Sequence, residues 1–202
     1  MSEADQDHLQ LLFPTVVQTS RIAEADRLNA ELETTIQLAR QRLPSSKPQS
    51  WACDLYTTIG SPEALFGLPG IGRLLEIGLS KMQRYAEAYA YPSSLKPRIT
   101  DCWVNVYRAG QSQEVHVHKN SLFSGIYYLQ APEGSGATLF YSPNCDVMLE
   151  PRPTQGNNLN ANVTGFPAEA GKMMIFRSST RHSVLPGDFA GERITISFNA
   201  VA

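Results

Sequence analysis

The hydrophobic periodicity of this 202-residue chain changes from helical to strand-like near residue 99. Beyond that point, short segments rich in β-formers are separated by Gly, Pro and Asn, which is typical of strands joined by turns. The predicted strands are Ile99–Arg108, Glu114–Lys119, Leu122–Gln130, Ala137–Tyr141, Val147–Glu150, Met173–Ser178, Ser183–Leu185 and Arg193–Ala200. This many strands in roughly a hundred residues favours a sandwich or jelly roll over alternating strand–helix units.

The first half of the chain is predicted to be helical. Apolar residues recur every three or four positions over Ile22–Leu43 and again over Ile71–Ala90, which indicates two amphipathic helices that cover a sheet. The polar segment Thr154–Gly171 is predicted to be a long loop. We therefore expect one integrated domain, in which a helical extension over residues 1–98 packs on a β-rich core over residues 99–202.

Composition excludes several classes of protein. The chain has 17 Lys and Arg against 19 Asp and Glu, a net charge of −2, so no basic excess is present and duplex nucleic acid is not expected as a partner.

Three widely spaced cysteines argue against a disulfide framework and favour a reducing compartment. The acidic N-terminus does not resemble a secretory signal, and no segment is apolar for long enough to span a bilayer. We expect a cytoplasmic protein without membrane contact, whose helical half could pair in a homodimer.

Strand alternation places unusual polar side chains on common faces. The three faces carry Trp103, Asn105 and Tyr107; Glu114, His116 and His118; and Arg193, Thr195, Ser197 and Asn199. A strand face that merely contacts water normally carries Lys, Glu and Ser rather than His, Asn, Tyr and Arg. The pattern therefore favours a shared polar site over a solvated surface.

The histidines predict a metal site. On a strand, the His116-Val-His118 pair directs two imidazoles towards one point, which suits a divalent cation. His182, on a strand edge much later in the chain, can complete a three-ligand facial site that leaves positions for a substrate and dioxygen. We predict these three histidines as the metal ligands and as the catalytic residues.

A second candidate site contains Arg193 and Thr195. A guanidinium beside a hydroxyl on one strand face is well suited to hold a carboxylate. The alternative interpretation of Arg193 is a surface salt bridge with Glu192 or Asp188.

Five motifs, taken in order, resemble the iron(II)/2-oxoglutarate-dependent dioxygenases. They are Trp103-Val-Asn105-Val-Tyr107-Arg-Ala-Gly110, His116-Val-His118, Ser124-Gly125-Ile-Tyr127-Tyr128-Leu129, His182-Ser-Val-Leu-Pro186 and Arg193-Ile-Thr195-Ile-Ser197-Phe-Asn199. The resemblance covers about residues 100–201 and is strongest to a poorly characterised bacterial and phage branch. The resemblance implies a mainly β fold with α, in which a double-stranded β-helix (jelly-roll) core follows a helical N-terminal half.

The resemblance also implies roles for individual residues. It makes His116 and His182 ligands of Fe(II), and it assigns the distal carboxylate of 2-oxoglutarate to Arg193 with Thr195. Asn105 and Tyr107 would line the cosubstrate pocket, and the third lining residue would be Tyr128 or its neighbour Tyr127. Strand parity alone does not decide whether Tyr127 or Tyr128 points inward.

His118 departs from the family pattern, which has Asp or Glu at this position. Three interpretations remain, ranked in this order: His118 is the third ligand; His118 is a bystander and water completes the site; or Glu114, on the same face, supplies a carboxylate. Asp146 is a more distant candidate for a carboxylate ligand.

The implied activity is hydroxylation or demethylation of an unidentified small-molecule or peptide substrate. Dioxygen is consumed in this reaction, and 2-oxoglutarate is decarboxylated to succinate. Two alternatives are a cupin-type three-histidine metal enzyme and a non-catalytic jelly-roll binding module. The Arg193-x-Thr195 pair favours the oxygenase, because a cupin has no need to hold a cosubstrate carboxylate.

Overall fold

The structure, a computed structural model, describes residues 9–144, 152–157 and 159–202. These residues form two helices and ten strands. In chain order the elements are β1 Val17–Arg21, α1 Ala25–Arg42, β2 Tyr56–Thr57, α2 Ile71–Ala88, β3 Arg98–Tyr107, β4 Gln113–His116, β5 Phe123–Gln130, β6 Thr138–Tyr141, β7 Val163–Phe166, β8 Lys172–Arg177, β9 His182–Val184 and β10 Arg193–Val201. The predicted strand Val147–Glu150 and the candidate ligand Asp146 lie outside the described residues.

The strands form two antiparallel sheets. The larger sheet has the order β1-β8-β5-β10-β3-β2, and the smaller has the order β4-β9-β6-β7. Side chains from both sheets pack against each other in one cluster, in which Tyr128 and Phe176 of the larger sheet meet Phe140 of the smaller one. The mainly β jelly-roll architecture predicted from the sequence is confirmed.

Both helices cover the outer face of the larger sheet. Leu28 and Leu32 of α1 and Leu74 of α2 share a buried cluster with Ile196 and Phe198 of β10. Burial of each such side chain contributes about 1.5–3 kcal/mol. Close approach of α2 to the sheet is possible because two glycines, Gly78 and Gly125, lie against the Phe198 ring. An added Cβ would come within 2.8 Å of this ring at Gly78 and within 2.2 Å at Gly125.

The helical prediction for the first half is only partly confirmed. Both helices exist, but the same half also contributes β1, which pairs with β8, and β2, which pairs with β3. These two strands are five and two residues long and lie at the edges of the sheet. Their sequences are therefore too short to show a clear alternation of polar and apolar residues. Neither helix of the described chain is long and apolar enough to cross a membrane.

Two predicted boundaries in the second half are wrong. The loop prediction for Thr154–Gly171 misses β7, an edge strand with mostly exposed side chains, which is held by backbone pairing with β6 rather than by apolar burial. The strand predicted over Glu114–Lys119 ends at His116 instead. His118 therefore lies beyond the strand, and other contacts must fix its position.

Candidate metal centre and cosubstrate pocket

Three histidines from separate segments converge between the two sheets. His116, at the end of β4, is paired directly with His182, at the start of β9, and their ring centroids are 4.1 Å apart. His118 approaches from the loop after β4, with its ring centroid 5.0 Å from that of His182 and 5.4 Å from that of His116. The possible ligand atoms of the three residues all lie within 4.8 Å of one another. No other group of three or more His, Cys, Asp or Glu with this geometry occurs in the described part of the chain.

Each histidine has its Nδ1 in contact with an oxygen of the protein. The oxygens are Glu114 O for His116 (2.7 Å), Thr180 O for His182 (2.9 Å) and Asn199 Oδ1 for His118 (2.5 Å). Carbonyl and amide oxygens only accept hydrogen bonds, so this network assigns the proton to Nδ1 and leaves the Nε2 lone pair free. Histidines that bind a metal are oriented in the same way, by a hydrogen bond from the ring nitrogen that does not coordinate the metal.

Burial lowers the pKa of all three imidazoles, because loss of water penalises the charged imidazolium. The pKa of His118 falls to about 4 and that of His182 to about 3. Repulsion from neighbouring rings lowers these two values further, whereas the Asn199 hydrogen bond and the charge of Asp101 oppose the shift at His118. The three rings are therefore neutral at pH 7, the form in which imidazole binds a metal.

The described residues bring no carboxylate into the histidine cluster. Glu114, the alternative ligand, is exposed, and its Oε1 accepts a hydrogen bond from the backbone N–H of Ala52 at 2.5 Å. Three neutral imidazoles can still hold a divalent cation, since imidazole suits iron, zinc, copper and nickel.

Arg193 is almost fully buried and lacks a counter-ion. It is 2% exposed, and its guanidinium carbon lies 5.1 Å from the ring centroid of Tyr107 and 5.4 Å from that of Tyr128. Nη2 donates to Thr138 Oγ1 at 3.2 Å, Nε has no partner, and no carboxylate of the described residues forms an ion pair with Arg193. A buried cation without an anion is unfavourable. The site therefore fits an anionic ligand.

The alternative of a surface salt bridge is wrong for Arg193. Glu192 instead pairs with Arg40 at 2.7 Å and with Arg108 at 3.8 Å. Asp188 is exposed and forms no ion pair with any described residue.

A ladder of polar pairs from β3 and β10 connects Arg193 to the histidines. The register pairs Tyr107 with Arg193, Asn105 with Thr195, Trp103 with Ser197, and Asp101 with Asn199. All eight side chains line one cavity of about 340 Å³, together with the three histidines. The structure thus brings together the polar faces that strand parity predicts.

Asn105 and Thr195 retain free polar groups towards this cavity. Asn105 Oδ1 accepts from Thr57 Oγ1 at 2.7 Å, while the Asn105 amide nitrogen and the Thr195 hydroxyl have no hydrogen-bond partner among the described residues. Tyr107 donates its hydroxyl to Gln113 Oε1 at 2.9 Å. Its ring, rather than its hydroxyl, is therefore turned to Arg193.

The two adjacent tyrosines of β5 point in opposite directions. Tyr128 packs against Arg193, and its hydroxyl lies 2.7 Å from Thr138 Oγ1. Tyr127 faces α1, where its hydroxyl donates to Asn29 Oδ1 at 2.6 Å. Tyr128 is thus the residue that points into the site, where its ring packs against the guanidinium of Arg193.

Three residues of the site are not predicted as such from the sequence: Thr138, Ser124 and Asn199. Asn199 and Ser124 contact the His118 ring, and Thr138 contacts Arg193. Asn199 does carry a signal, because it shares strand parity with Arg193. Thr138 carries none, since only the packing of the smaller sheet against the larger one brings it to the guanidinium.

Comparison with known proteins identifies the family. A family model described as "Putative 2OG-Fe(II) oxygenase" matches residues 101–199. This range contains the whole β3–β10 ladder and all three histidines of the cluster. A search of curated proteins found no match.

Solved structures with a similar fold have low sequence identity to this chain. A prolyl-4-hydroxylase from Pseudomonas putida is 12% identical, with 92% of each chain covered and a TM-score of 0.61. A Trichoplax adhaerens prolyl hydroxylase in complex with a hypoxia inducible factor peptide is 16% identical, covering 91% of this chain and 82% of the other, with a TM-score of 0.59. The non-heme alpha ketoglutarate dependent epimerase SnoN from nogalamycin biosynthesis is 16% identical, covering 93% and 76%, with a TM-score of 0.65.

These structural likenesses support the jelly-roll fold alone. The activity follows from the family match, which contains every described residue that lines the cavity except Trp51, Ile59 and Pro62. The chain belongs to the 2-oxoglutarate- and Fe(II)-dependent oxygenases, and its cofactors are Fe(II) and 2-oxoglutarate.

Proposed function

We propose that this enzyme hydroxylates or demethylates a small-molecule or peptide substrate, with Fe(II) held by His116, His118 and His182. The free Nε2 atom of each histidine supports this ligand set, as does the approach of their possible ligand atoms to within 4.8 Å of one another. His118 is the one proposed ligand that departs from the family pattern, which has Asp or Glu at this position. The hydrogen bond from its Nδ1 to Asn199 supports it as a ligand rather than a bystander, because a bystander would not need a fixed tautomer.

The observation that carries the proposal is the buried Arg193 without a counter-ion. We assign it to the distal carboxylate of 2-oxoglutarate, with Thr195 as an additional donor. Tyr107 and Tyr128 hold the guanidinium in place from two sides. Asn105, one ladder pair nearer to the histidines, has an amide nitrogen available for the cosubstrate.

When bound, Fe(II) and 2-oxoglutarate supply the oxidising chemistry, in which dioxygen is consumed, 2-oxoglutarate is converted to succinate and CO₂, and one oxygen atom enters the substrate C–H bond. The protein positions these reactants. His116, His118 and His182 would hold the metal and would leave its other positions to exchangeable ligands. The burial of six of the eight ladder residues, all except Asp101 and Asn199, limits access of water to the reacting atoms.

Calorimetric titration of 2-oxoglutarate into the Mn(II)-loaded protein tests this function. We expect saturable binding to the unmodified chain and a loss of affinity of about 10- to 100-fold in Arg193→Met, since hydrogen bonds to charged groups contribute about 1.5–3 kcal/mol. Arg27→Met is the matched control, because the Arg27 side chain is 72% exposed on α1. An unmodified protein that binds no 2-oxoglutarate would refute the proposal, and metal-dependent turnover without 2-oxoglutarate would favour the cupin alternative.

A further inference from the structure

The polar ladder of β3 and β10 has two chemically different halves. The deep half, Tyr107/Arg193 and Asn105/Thr195, is cationic and hydrogen-bonding. The outer half contains Asp101 and Trp103, paired with Asn199 and Ser197. Alternate residues on a strand are about 7 Å apart, so Asp101 and Arg193 belong to opposite ends of the ladder.

The outer half borders the histidine cluster on the side away from Arg193. His118 is in contact with Asn199, the ladder partner of Asp101. The ring centroid of Trp103 lies 5.5 Å from that of His118. A ligand in this part of the cavity would therefore contact the metal centre without displacing anything from the Arg193 end.

Asp101 is an unpaired carboxylate in this outer half. It is half-buried and lines the cavity. Its Oδ2 accepts a hydrogen bond from Thr100 Oγ1 at 3.1 Å, and no cationic side chain of the described residues lies within ion-pair distance. Among the described residues, Asp101 is thus the only one that brings a negative charge to the cavity lining, and that charge has no cationic partner among them.

Aromatic and apolar side chains also line the cavity, and Trp103 follows Asp101 on the same face of β3. Both tryptophans of the chain line the cavity, and Trp103 is only 4% exposed. The apolar remainder of the cavity wall is formed by Ile59, Pro62, Ile126, Val117 and Val184. A carboxylate beside the Trp103 indole suits a protonated amine, which gains a charge-assisted hydrogen bond from the first and cation–π attraction from the second.

The other charges of the cavity do not oppose this assignment. Besides Asp101 and the histidines, the charged side chains that line it are Arg193 and Lys119. Arg193 lies at the far end of the ladder, where 2-oxoglutarate would neutralise it. Lys119 is exposed, so solvent and salt screen its charge.

We propose that Asp101 and Trp103 form the binding site for the primary substrate, and that this substrate carries a protonated amine near the C–H bond to be oxidised. This inference rests on the proposed function, because it takes the Arg193 end of the cavity as the cosubstrate site. The cavity volume of about 340 Å³ suits a small amine beside the cosubstrate.

The two tryptophans make occupancy of the cavity directly measurable. A Trp51→Phe protein retains Trp103 as its only tryptophan, so its intrinsic fluorescence reports on the outer half. We would titrate this protein, loaded with Mn(II), with pentylammonium chloride and with the neutral isostere pentan-1-ol. We expect pentylammonium to bind at least 10-fold more tightly than pentan-1-ol.

The carboxylate is then tested in the same background. Asp101→Asn and Asp101→Ser should each remove the preference for pentylammonium over pentan-1-ol. Asp188→Asn, which changes an exposed carboxylate outside the cavity lining, should retain it. Circular dichroism identifies any variant that fails to fold, and two different replacements of Asp101 keep the test decisive.

A parallel titration with 2-oxoglutarate separates the two proposals. Suppose that 2-oxoglutarate binds, but the protein does not prefer pentylammonium to pentan-1-ol, or still prefers it in both Asp101 variants. The amine site is then overturned and the oxygenase assignment stands. If pentylammonium binds through Asp101 but 2-oxoglutarate does not bind, the Arg193 assignment fails instead.

Discussion

The Nδ1 atom of His118 lies 2.5 Å from Asn199 Oδ1, and this contact determines which nitrogen of the ring faces the other two histidines. Ser124 Oγ lies 2.8 Å from the same Asn199 oxygen and 2.8 Å from Ser178 Oγ. The backbone N–H of His118 also donates to Ser178 O at 2.9 Å. Contacts from β5, β10 and the turn after β8 thus hold a histidine that the β4 strand no longer supports.

Removal of the Asn199 amide should weaken metal binding. In Asn199→Ala we expect a loss of metal affinity of about 10- to 100-fold, the usual effect of deleting an outer partner of a metal-binding histidine. A competition titration with a chromophoric chelator measures this affinity. Asn160→Ala, in an exposed loop, is the control, and an unchanged affinity in Asn199→Ala would indicate that His118 is a bystander.

Metal binding should stabilise the native protein measurably. Saturation with Mn(II) at about 100 times Kd stabilises the folded state by about 2.7 kcal/mol, which corresponds to roughly 5–10 °C in Tm for a domain of this size. Thermal unfolding with and without Mn(II) provides the measurement. The increase should disappear in His182→Ala, and a shift of the same size in that variant would contradict the ligand assignment.

Arg193 should be unfavourable for the stability of the ligand-free protein. Because its buried charge has no counter-ion, we expect Arg193→Met to unfold at an equal or higher Tm than the unmodified chain in the absence of 2-oxoglutarate. The same variant should lose the increase in Tm that 2-oxoglutarate produces. A structural role for Arg193 would give the opposite result, a ligand-free protein destabilised by several kcal/mol.

The contact between α2 and Phe198 makes two glycines of one helix respond differently to the same substitution. Gly78→Ala places a Cβ within 2.8 Å of the Phe198 ring and should destabilise the fold by about 1–3 kcal/mol. Gly72→Ala meets nothing within 4 Å and should stabilise it by about 0.5–1 kcal/mol through helix propensity. Urea unfolding measures both changes, and equal effects at the two positions would contradict the close packing.

Long, strictly alternating strands made much of the site predictable. In β10, polar and apolar residues alternate from Arg193 to Ala200, and in β3 the apolar Cys102, Val104 and Val106 separate Trp103, Asn105 and Tyr107. Parity alone therefore groups Asn105 and Tyr107 on one strand and Arg193 and Thr195 on the other. The antiparallel register then brings these groups together. The two helices were predictable for the same reason, because one apolar face repeats over 18 residues in each.

Features held by backbone pairing or by distant contacts were not predictable. The exposed edge strand β7 has no buried side to produce a pattern. Strand parity could not choose between Tyr127 and Tyr128, because both are aromatic and both are fully buried, one against α1 and the other against Arg193. The position of His118 depends on Ser124, Ser178 and Asn199, which reach it from three other parts of the chain.

Strand β10 pairs with β3 on one side and β5 on the other, and it contributes to two chemically opposite environments. A misalignment by one residue would turn Arg193 towards the helices and Ile194 into the cavity, so the helix-facing core and the cosubstrate site would be lost together. Proteases that degrade chains with a misaligned β10 would therefore also remove inactive enzyme, because the same misalignment destroys the core and the cosubstrate site.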